Sequence, residues 1–162
     1  MVTSATRDVL ADEVRAAVAA VPDPELPMVT IEDLGILREV AVRDGGVHVT
    51  ITPTYAGCPA MDAIRADVEA AAREVVPGCP VVVHTVLAPA WSTDDLTEAG
   101  RRTLAEAGIA PPGSTTELTL TIRCPHCGSP ETRELSRFGS TACKSLWRCT
   151  ACGEPFDHFK KH

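Results

Sequence analysis

Hydrophobic side chains recur every three to four residues in two stretches of the chain, the spacing that places them on one face of an α-helix. The first series predicts a helix that ends before Pro22, because proline lacks the backbone N–H that a continuing helix needs. The second series predicts a helix from residue 59 to about residue 76. The apolar positions are Leu10, Val14, Val18 and Val21 in the first series and Met61, Ile64, Val68, Ala72 and Val75 in the second.

Apolar and polar residues alternate on both sides of an Asp-Gly-Gly turn at residues 44–46, which predicts a β-hairpin. A short apolar run at residues 81–87 predicts a third strand. Thr93 is expected to cap a third helix that Gly108 ends. The predicted fold class is α+β, a small α/β sandwich of helices on one face of a short mixed sheet.

Charge and proline divide the chain. Residues 1–112 carry 8 Lys/Arg against 17 Asp/Glu, whereas residues 113–162 carry 7 against 5. Two prolines and a glycine at residues 110–116 predict a linker, so we expect an α+β domain at 1–112 and a second domain at 113–162. The acidic first part disfavours nucleic acid as a partner. No apolar run is long enough to span a bilayer, so we expect a cytoplasmic protein without a membrane role; a homodimer is compatible with the sequence.

Four of the seven cysteines form two Cys-x-x-Cys pairs, each followed by glycine. Two such pairs with 21 residues between them predict two turns that direct four thiolates at one ion. Four sulfur ligands favour structural zinc, with a rubredoxin-like iron as the alternative. The second domain is therefore predicted to be a zinc ribbon whose metal ligands are Cys124, Cys127, Cys149 and Cys152.

Aromatic residues concentrate in this predicted ribbon, which needs large side chains to build a core. Phe138, Trp147, Phe156 and Phe159 are expected to form that core. Cys143 is surplus to a filled four-cysteine site and is expected to be a packed thiol.

Cys58 lies between Gly57 and Pro59, and proline favours the first position of a helix. The thiol is therefore predicted at the start of the second helix, where unpaired amides favour an anion and make a thiolate a better nucleophile or metal ligand. The alternative is a small buried side chain without chemistry, and position alone leaves both interpretations open. No neighbouring histidine supports a Cys-His hydrolase. Cys79 is expected in a loop or at the start of a strand, without chemistry of its own.

Two groups of motifs resemble known families. The segments Asp23-Pro-Glu25, Asp33-Leu-Gly35 and Pro53-Thr-Tyr-Ala-Gly-Cys-Pro59 are similar to those of the iron–sulfur assembly factor domain family. The tail, with Phe-Gly-Ser-Thr-Ala-Cys-Lys at residues 138–144, resembles the ribbon of the D-type subunits of phenylacetyl-CoA epoxidases. By this resemblance Cys58 is the reactive cysteine, and Asp23, Glu25 and Asp33 are acidic residues near it. We hypothesise that Cys58 transiently holds iron or an iron–sulfur cluster, with Cys143 as a candidate second ligand.

The resemblance implies an accessory, non-catalytic factor of aerobic phenylacetate breakdown that helps to mature metal centres. The implied partners are the oxygenase and reductase components of the epoxidase system, together with iron–sulfur assembly proteins. A structural subunit that bridges the oxygenase complex is the alternative, and thiol–disulfide exchange is a second possible use of Cys58. A nucleic-acid-binding regulator is the weakest alternative, because the first part of the chain is acidic.

Overall fold

The computed structural model describes residues 4–113 and 121–161. Contacts divide the chain into two compact units, Met1–Trp91 and Ser92–His162. Among the described helices, none is long and apolar enough to cross a lipid bilayer. The two units match the predicted α+β class followed by a ribbon.

The first unit begins with helix α1, Ser4–Ala19. Its predicted apolar face is confirmed, since Val14 and Val18 are fully buried. The helix ends three residues before Pro22, as expected from the restricted backbone that precedes a proline. Pro22 then forms an isolated antiparallel bridge with Thr30, which closes the loop between them.

The predicted hairpin is strands β1, Leu37–Arg43, and β2, Gly46–Ile51. Asp44 and Gly45 both have positive φ, 52° and 74°, which is the geometry of a tight type I′ turn. Strand β3, Val81–Thr85, pairs in parallel with β2 and gives the order β1-β2-β3. This strand ends two residues earlier than the apolar run predicted.

Helix α2, Met61–Val75, connects β2 to β3 and buries Ile64, Val68 and Ala72 as predicted. Its start differs from the prediction, which placed it at residue 59. Ala60 is the N-cap and makes no side-chain capping hydrogen bond. Pro59 therefore lies in the turn before the helix and not at its first position.

The second unit begins with a short 3-10 turn, Thr93–Asp95, followed by helix α3, Glu98–Glu106. The expectation that Thr93 caps this helix is wrong, because Thr97 supplies the capping oxygen to the Gly100 N–H at 2.9 Å. Ser92 caps the 3-10 turn instead, in a reciprocal capping box with Asp95. Gly108, at φ 77°, follows α3 as predicted.

Four strands form the sheet of the second unit, in the order β4-β7-β6-β5. They are β4, Ile109–Ala110; β5, Thr132–Ser136; β6, Lys144–Cys149; and β7, Pro155–Phe159. The last three strands are antiparallel neighbours, whereas β4 runs parallel to β7. Ala110 thus belongs to a strand and not to the predicted linker, and the linker residues 114–116 lie outside the described residues.

Phe156 and Phe159 are buried in the second unit, as predicted. Phe138 is not, because its side chain is 71% exposed. Trp147 packs against a buried cluster formed by Ala110, Cys124, Cys149 and Phe156. The predicted domain boundary after residue 112 differs from the division by contacts and stays a prediction.

Candidate functional site

The two Cys-x-x-Cys pairs form two knuckles with the same backbone geometry. In the first, the Gly128 N–H donates to the Cys124 carbonyl at 2.9 Å, and in the second the Gly153 N–H donates to the Cys149 carbonyl at 3.0 Å. Both glycines have positive φ, 75° and 84°, which L side chains adopt at a cost. The glycine after each pair therefore lets the chain turn while both thiols stay on one side.

The four sulfur atoms of the knuckles lie within 4.8 Å of one another. Cys124 and Cys152 are 3.8 Å apart between sulfurs, and Cys127 and Cys149 are 3.6 Å apart. A tetrahedral ion with bonds of ~2.3 Å would separate its sulfur ligands by ~3.8 Å. The arrangement therefore fits zinc, which would supply a structural crosslink between the two knuckles.

The acidities of these thiols explain why a cation suits the site. The Cys152 N–H donates to the Cys149 sulfur and lowers the pKa of Cys149 to about 7, against the effect of burial. The pKa of Cys127 is raised to about 12: the Ser129 N–H opposes this rise, while burial and hydrogen bonds to the other ribbon thiols cause it. Neighbouring thiolates repel one another at these distances, and a cation bound between the sulfurs would offset that repulsion.

Within the described ranges, no further group of three or more His, Cys, Asp or Glu ligand atoms comes together. Cys58, Asp23, Glu25 and Asp33 therefore do not converge as a ligand set, and Cys143 belongs to the second unit. His126 and His158 also stand outside the thiol cluster.

Cys58 lies in the turn that precedes α2 and is half-buried. Its N–H donates to the Tyr55 carbonyl at 3.2 Å, and its carbonyl accepts from the Met61 N–H at 3.5 Å. The thiol is thus two residues before the N-cap Ala60, which corrects the prediction that it starts the helix. Its partial exposure leaves the thiol within reach of solvent.

The acidic residues that follow Pro22 take part in hydrogen bonds within their own loop. Asp23 is buried, and its Oδ1 accepts from the N–H groups of Glu25 and Leu26, both at 2.9 Å. Such a side-chain turn stabilises the loop locally. Asp33 is half-buried and its N–H donates to Thr30 Oγ1 at 3.1 Å. Asp23 therefore stabilises the loop from within and is not a solvated surface side chain.

The remaining thiols have local contacts. Cys143 is buried, as predicted, and its sulfur lies 3.0 Å from Thr141 Oγ1. Cys79 is half-buried in the loop between α2 and β3, with its sulfur 3.6 Å from the Gly45 carbonyl.

A polar chain in the ribbon sheet was not predicted from the sequence. Trp147 Nε1–H donates to Ser145 Oγ at 2.9 Å, and that hydroxyl lies 3.4 Å from His158 Nδ1. The sequence could indicate only that Ser145 and Trp147 lie on one face of β6, from the alternation along a strand. It could not indicate His158 as their neighbour, because β6 and β7 pair through residues that are distant in sequence.

Comparisons with known proteins agree with both units. Residues 11–83 match the model of the family described as iron-sulfur cluster assembly protein, and residues 109–160 match that of the PaaD zinc beta ribbon domain. An Escherichia coli (strain K12) protein, provisionally named as the D subunit of 1,2-phenylacetyl-CoA epoxidase, is 44% identical over 154 residues, 91% of each chain. A Porphyromonas gingivalis Fe-S protein maturation auxiliary factor is 39% identical over 77 residues, 47% of this chain and 72% of its own. The crystal structure of a domain of unknown function, DUF59, from Bacillus anthracis aligns with a TM-score of 0.57 and 28% identity, over 63% of this chain and 97% of that one.

Proposed function

The chain belongs to the family of phenylacetyl-CoA epoxidase D subunits, and from this premise we propose that it is an accessory factor for metal centres. It assists the assembly or delivery of iron or iron–sulfur centres to the oxygenase and reductase components of an epoxidase system that acts on phenylacetyl-CoA. It performs no catalysis of its own in that system.

The observation that carries this proposal is the position of Cys58. The half-buried thiol lies inside the segment that matches the iron–sulfur assembly family, in the connection between β2 and α2. A metal held through this one thiolate would have fewer sulfur ligands than one held by the four ribbon cysteines, so it would exchange readily. A metal ion or cluster that exchanges readily at Cys58 suits transfer to a client protein and not long-term storage.

The ribbon has a separate task in this proposal. Cys124, Cys127, Cys149 and Cys152 hold a permanent zinc ion that stabilises the small second unit. Cys143 is buried and hydrogen-bonded, so its part as a second transient ligand requires movement of its loop.

Replacement of Cys58 tests the proposal, and Cys79 offers a matched control because both are half-buried loop thiols of the first unit. We expect Cys58→Ala to lower the anaerobic rate of iron or cluster transfer to the apo oxygenase and reductase components at least about tenfold, the loss of a required ligand. Cys79→Ala should keep the rate. Zinc content, measured after acid release, should be the same in both variants and in the original protein.

Normal maturation by Cys58→Ala would instead favour the alternative, a structural bridging subunit, which the word subunit in the name of the Escherichia coli relative supports. That alternative predicts stoichiometric co-purification with the oxygenase complex. A disulfide-exchange role for Cys58 would appear as a mixed disulfide with a client that forms without iron.

A further inference from the structure

An exposed groove on the ribbon combines aromatic and basic side chains. We call it the basic groove; its walls are Arg137, Phe138, Trp147, His158, Lys160 and Lys161. Its volume is about 370 Å³, near the lower end of the range for ligand sites. Ser145 and one acidic residue, Glu134, complete the lining.

Phe138 is the most exposed large hydrophobic side chain of the described residues, at 71%. Its loop is nevertheless fixed on both sides, since the Phe138 N–H donates to Ser136 Oγ at 3.1 Å and the Gly139 N–H donates to the Lys144 carbonyl at 2.8 Å. A Cβ on Gly139 would lie 2.8 Å from Asp157 Oδ1 and 3.1 Å from Lys144 Cβ, so the backbone of this loop packs closely against β6 and β7. The exposed ring is thus carried by a loop whose backbone is hydrogen-bonded on both sides of it.

Lys160 places a positive charge over this ring. Its Nζ lies 5.3 Å from the centre of the Phe138 ring and donates to the Arg137 carbonyl at 3.3 Å. The cation and the aromatic face are therefore already arranged together. Binding of an occupant would then cost little side-chain conformational entropy at these two residues.

The floor of the groove is neutral. Burial lowers the pKa of His158 to about 4, so its imidazole carries no charge near pH 7. The charge of the groove then comes from Arg137, Lys160 and Lys161 against Glu134. An occupant that suits it has a few negative charges around an apolar or aromatic side chain.

We propose that the basic groove docks an acidic segment of a partner protein, with carboxylates at Arg137 and Lys160 and an apolar side chain against Phe138 and Trp147. A nucleic acid fits less well for two reasons. The whole chain carries a net charge of −7, which repels a polyanion more than a short acidic segment. The exposed pair Arg133 and Arg148 lies on the other face of the sheet, so the cations form no single track for phosphates.

This inference rests on the proposed function for the identity of the partner, which would be a client component. Docking itself is measurable without metal transfer. The probe is a fluorescein-labelled twelve-residue peptide with four glutamates around one phenylalanine and serine elsewhere, titrated with the zinc-loaded full chain at low salt. The same peptide with glutamine in place of glutamate tests the charges, and a labelled single-stranded DNA of twelve nucleotides tests the rival partner.

Two matched pairs of variants locate the site. Arg137→Gln and Phe138→Ala should each weaken binding about three- to tenfold, the loss expected for one charge or one aromatic contact. Arg133→Gln and Leu135→Ala remove an exposed arginine and an exposed apolar side chain outside the groove, and they should change binding less than about twofold.

The two tryptophans give an internal control by NMR. The peptide should shift the indole N–H signal of Trp147 and leave that of Trp91, which is buried in the first unit. Cys58→Ala should bind the peptide normally, which separates docking from delivery. Four outcomes would each overturn the inference. The groove and control variants could weaken binding equally, or the peptide could shift only the Trp91 signal. The DNA could bind more tightly than the peptide, or the glutamate peptide could fail to bind at millimolar concentration.

Discussion

The burial of His158 shows how one residue couples the ribbon sheet to pH. Its side chain is 7% exposed, and its Nε2 finds no hydrogen-bond partner among the described residues. Since the Trp147 indole already donates to Ser145 Oγ, the serine hydroxyl can donate to His158 Nδ1. The neutral imidazole then keeps its proton on Nε2. A second proton would place a charge where nothing compensates it.

Acidification should therefore destabilise the second unit. The folded pKa of His158 is about 4, below its ordinary value of 6.5, so the unfolded chain binds the proton first as pH falls. This contribution to stability is complete above about pH 6.5, declines below it, and is fully lost near pH 4. Between pH 7.5 and pH 5 the loss is about 2 kcal/mol, measured as the free energy of urea unfolding of the zinc-loaded protein.

His158→Phe provides the comparison, because both proteins share the same zinc ligands and lose metal alike in acid. The variant should show a smaller decline over this pH range, by about the same 2 kcal/mol. Identical pH dependence in the two proteins would mean that His158 does not cause the effect.

At the scale of elements, the sequence predicted those whose signals are local and periodic. Helix α1, the hairpin and the apolar face of α2 follow from spacing and turn residues alone. Helix starts were less predictable, because neighbouring residues compete for the same role. Thr93 and Thr97 both have a side-chain oxygen that could cap α3. Thr93 is buried in the 3-10 turn, so Thr97 caps the helix.

Gly108, just after the end of α3, lies so close to His126 that an added side chain there should change stability measurably. A Cβ on Gly108 would lie 3.2 Å from Cε1 of His126 in the first knuckle, and the backbone there has φ 77°. Gly108→Ala should cost about 1–2 kcal/mol in the unfolding free energy, most of it from the left-handed backbone.

The steric part of this cost should vanish when the ring is removed. In a His126→Ala background, Gly108→Ala should cost a few tenths of a kcal/mol less, as measured by a double-mutant cycle. A cost that is the same in both backgrounds would show that the histidine moves aside freely.

At the scale of the whole molecule, the metal site was predictable and the groove was not. Each knuckle is specified within five residues, so the four ribbon cysteines could be identified from spacing. The basic groove needs three strands and a loop in register, and its members looked like core or surface residues along the sequence. Phe138 was assigned to the core because hydrophobicity alone cannot say which side of a thin sheet a loop residue faces.

The place where the second domain begins can be tested with two fragments. Residues 92–162 include α3 and β4, whereas residues 113–162 begin at the predicted boundary and lack them. The shorter fragment loses buried Ile109, Ala110 and Leu104. We expect it to be less stable by about 3 kcal/mol or more with zinc bound, from urea unfolding followed by Trp147 fluorescence. Equal stability would support a boundary after residue 112.

The short strand β4 has one more consequence. With Ile109 and Ala110 beside it, β7 has hydrogen-bonded neighbours on both flanks, at Asp157 and His158. Without them, β7 would expose unpaired backbone N–H and carbonyl groups along one edge, where another chain could pair with it. The two residues of β4 thus cover this edge and prevent self-association through it. A fragment of residues 113–162, which lacks them, should form aggregates that grow with protein concentration.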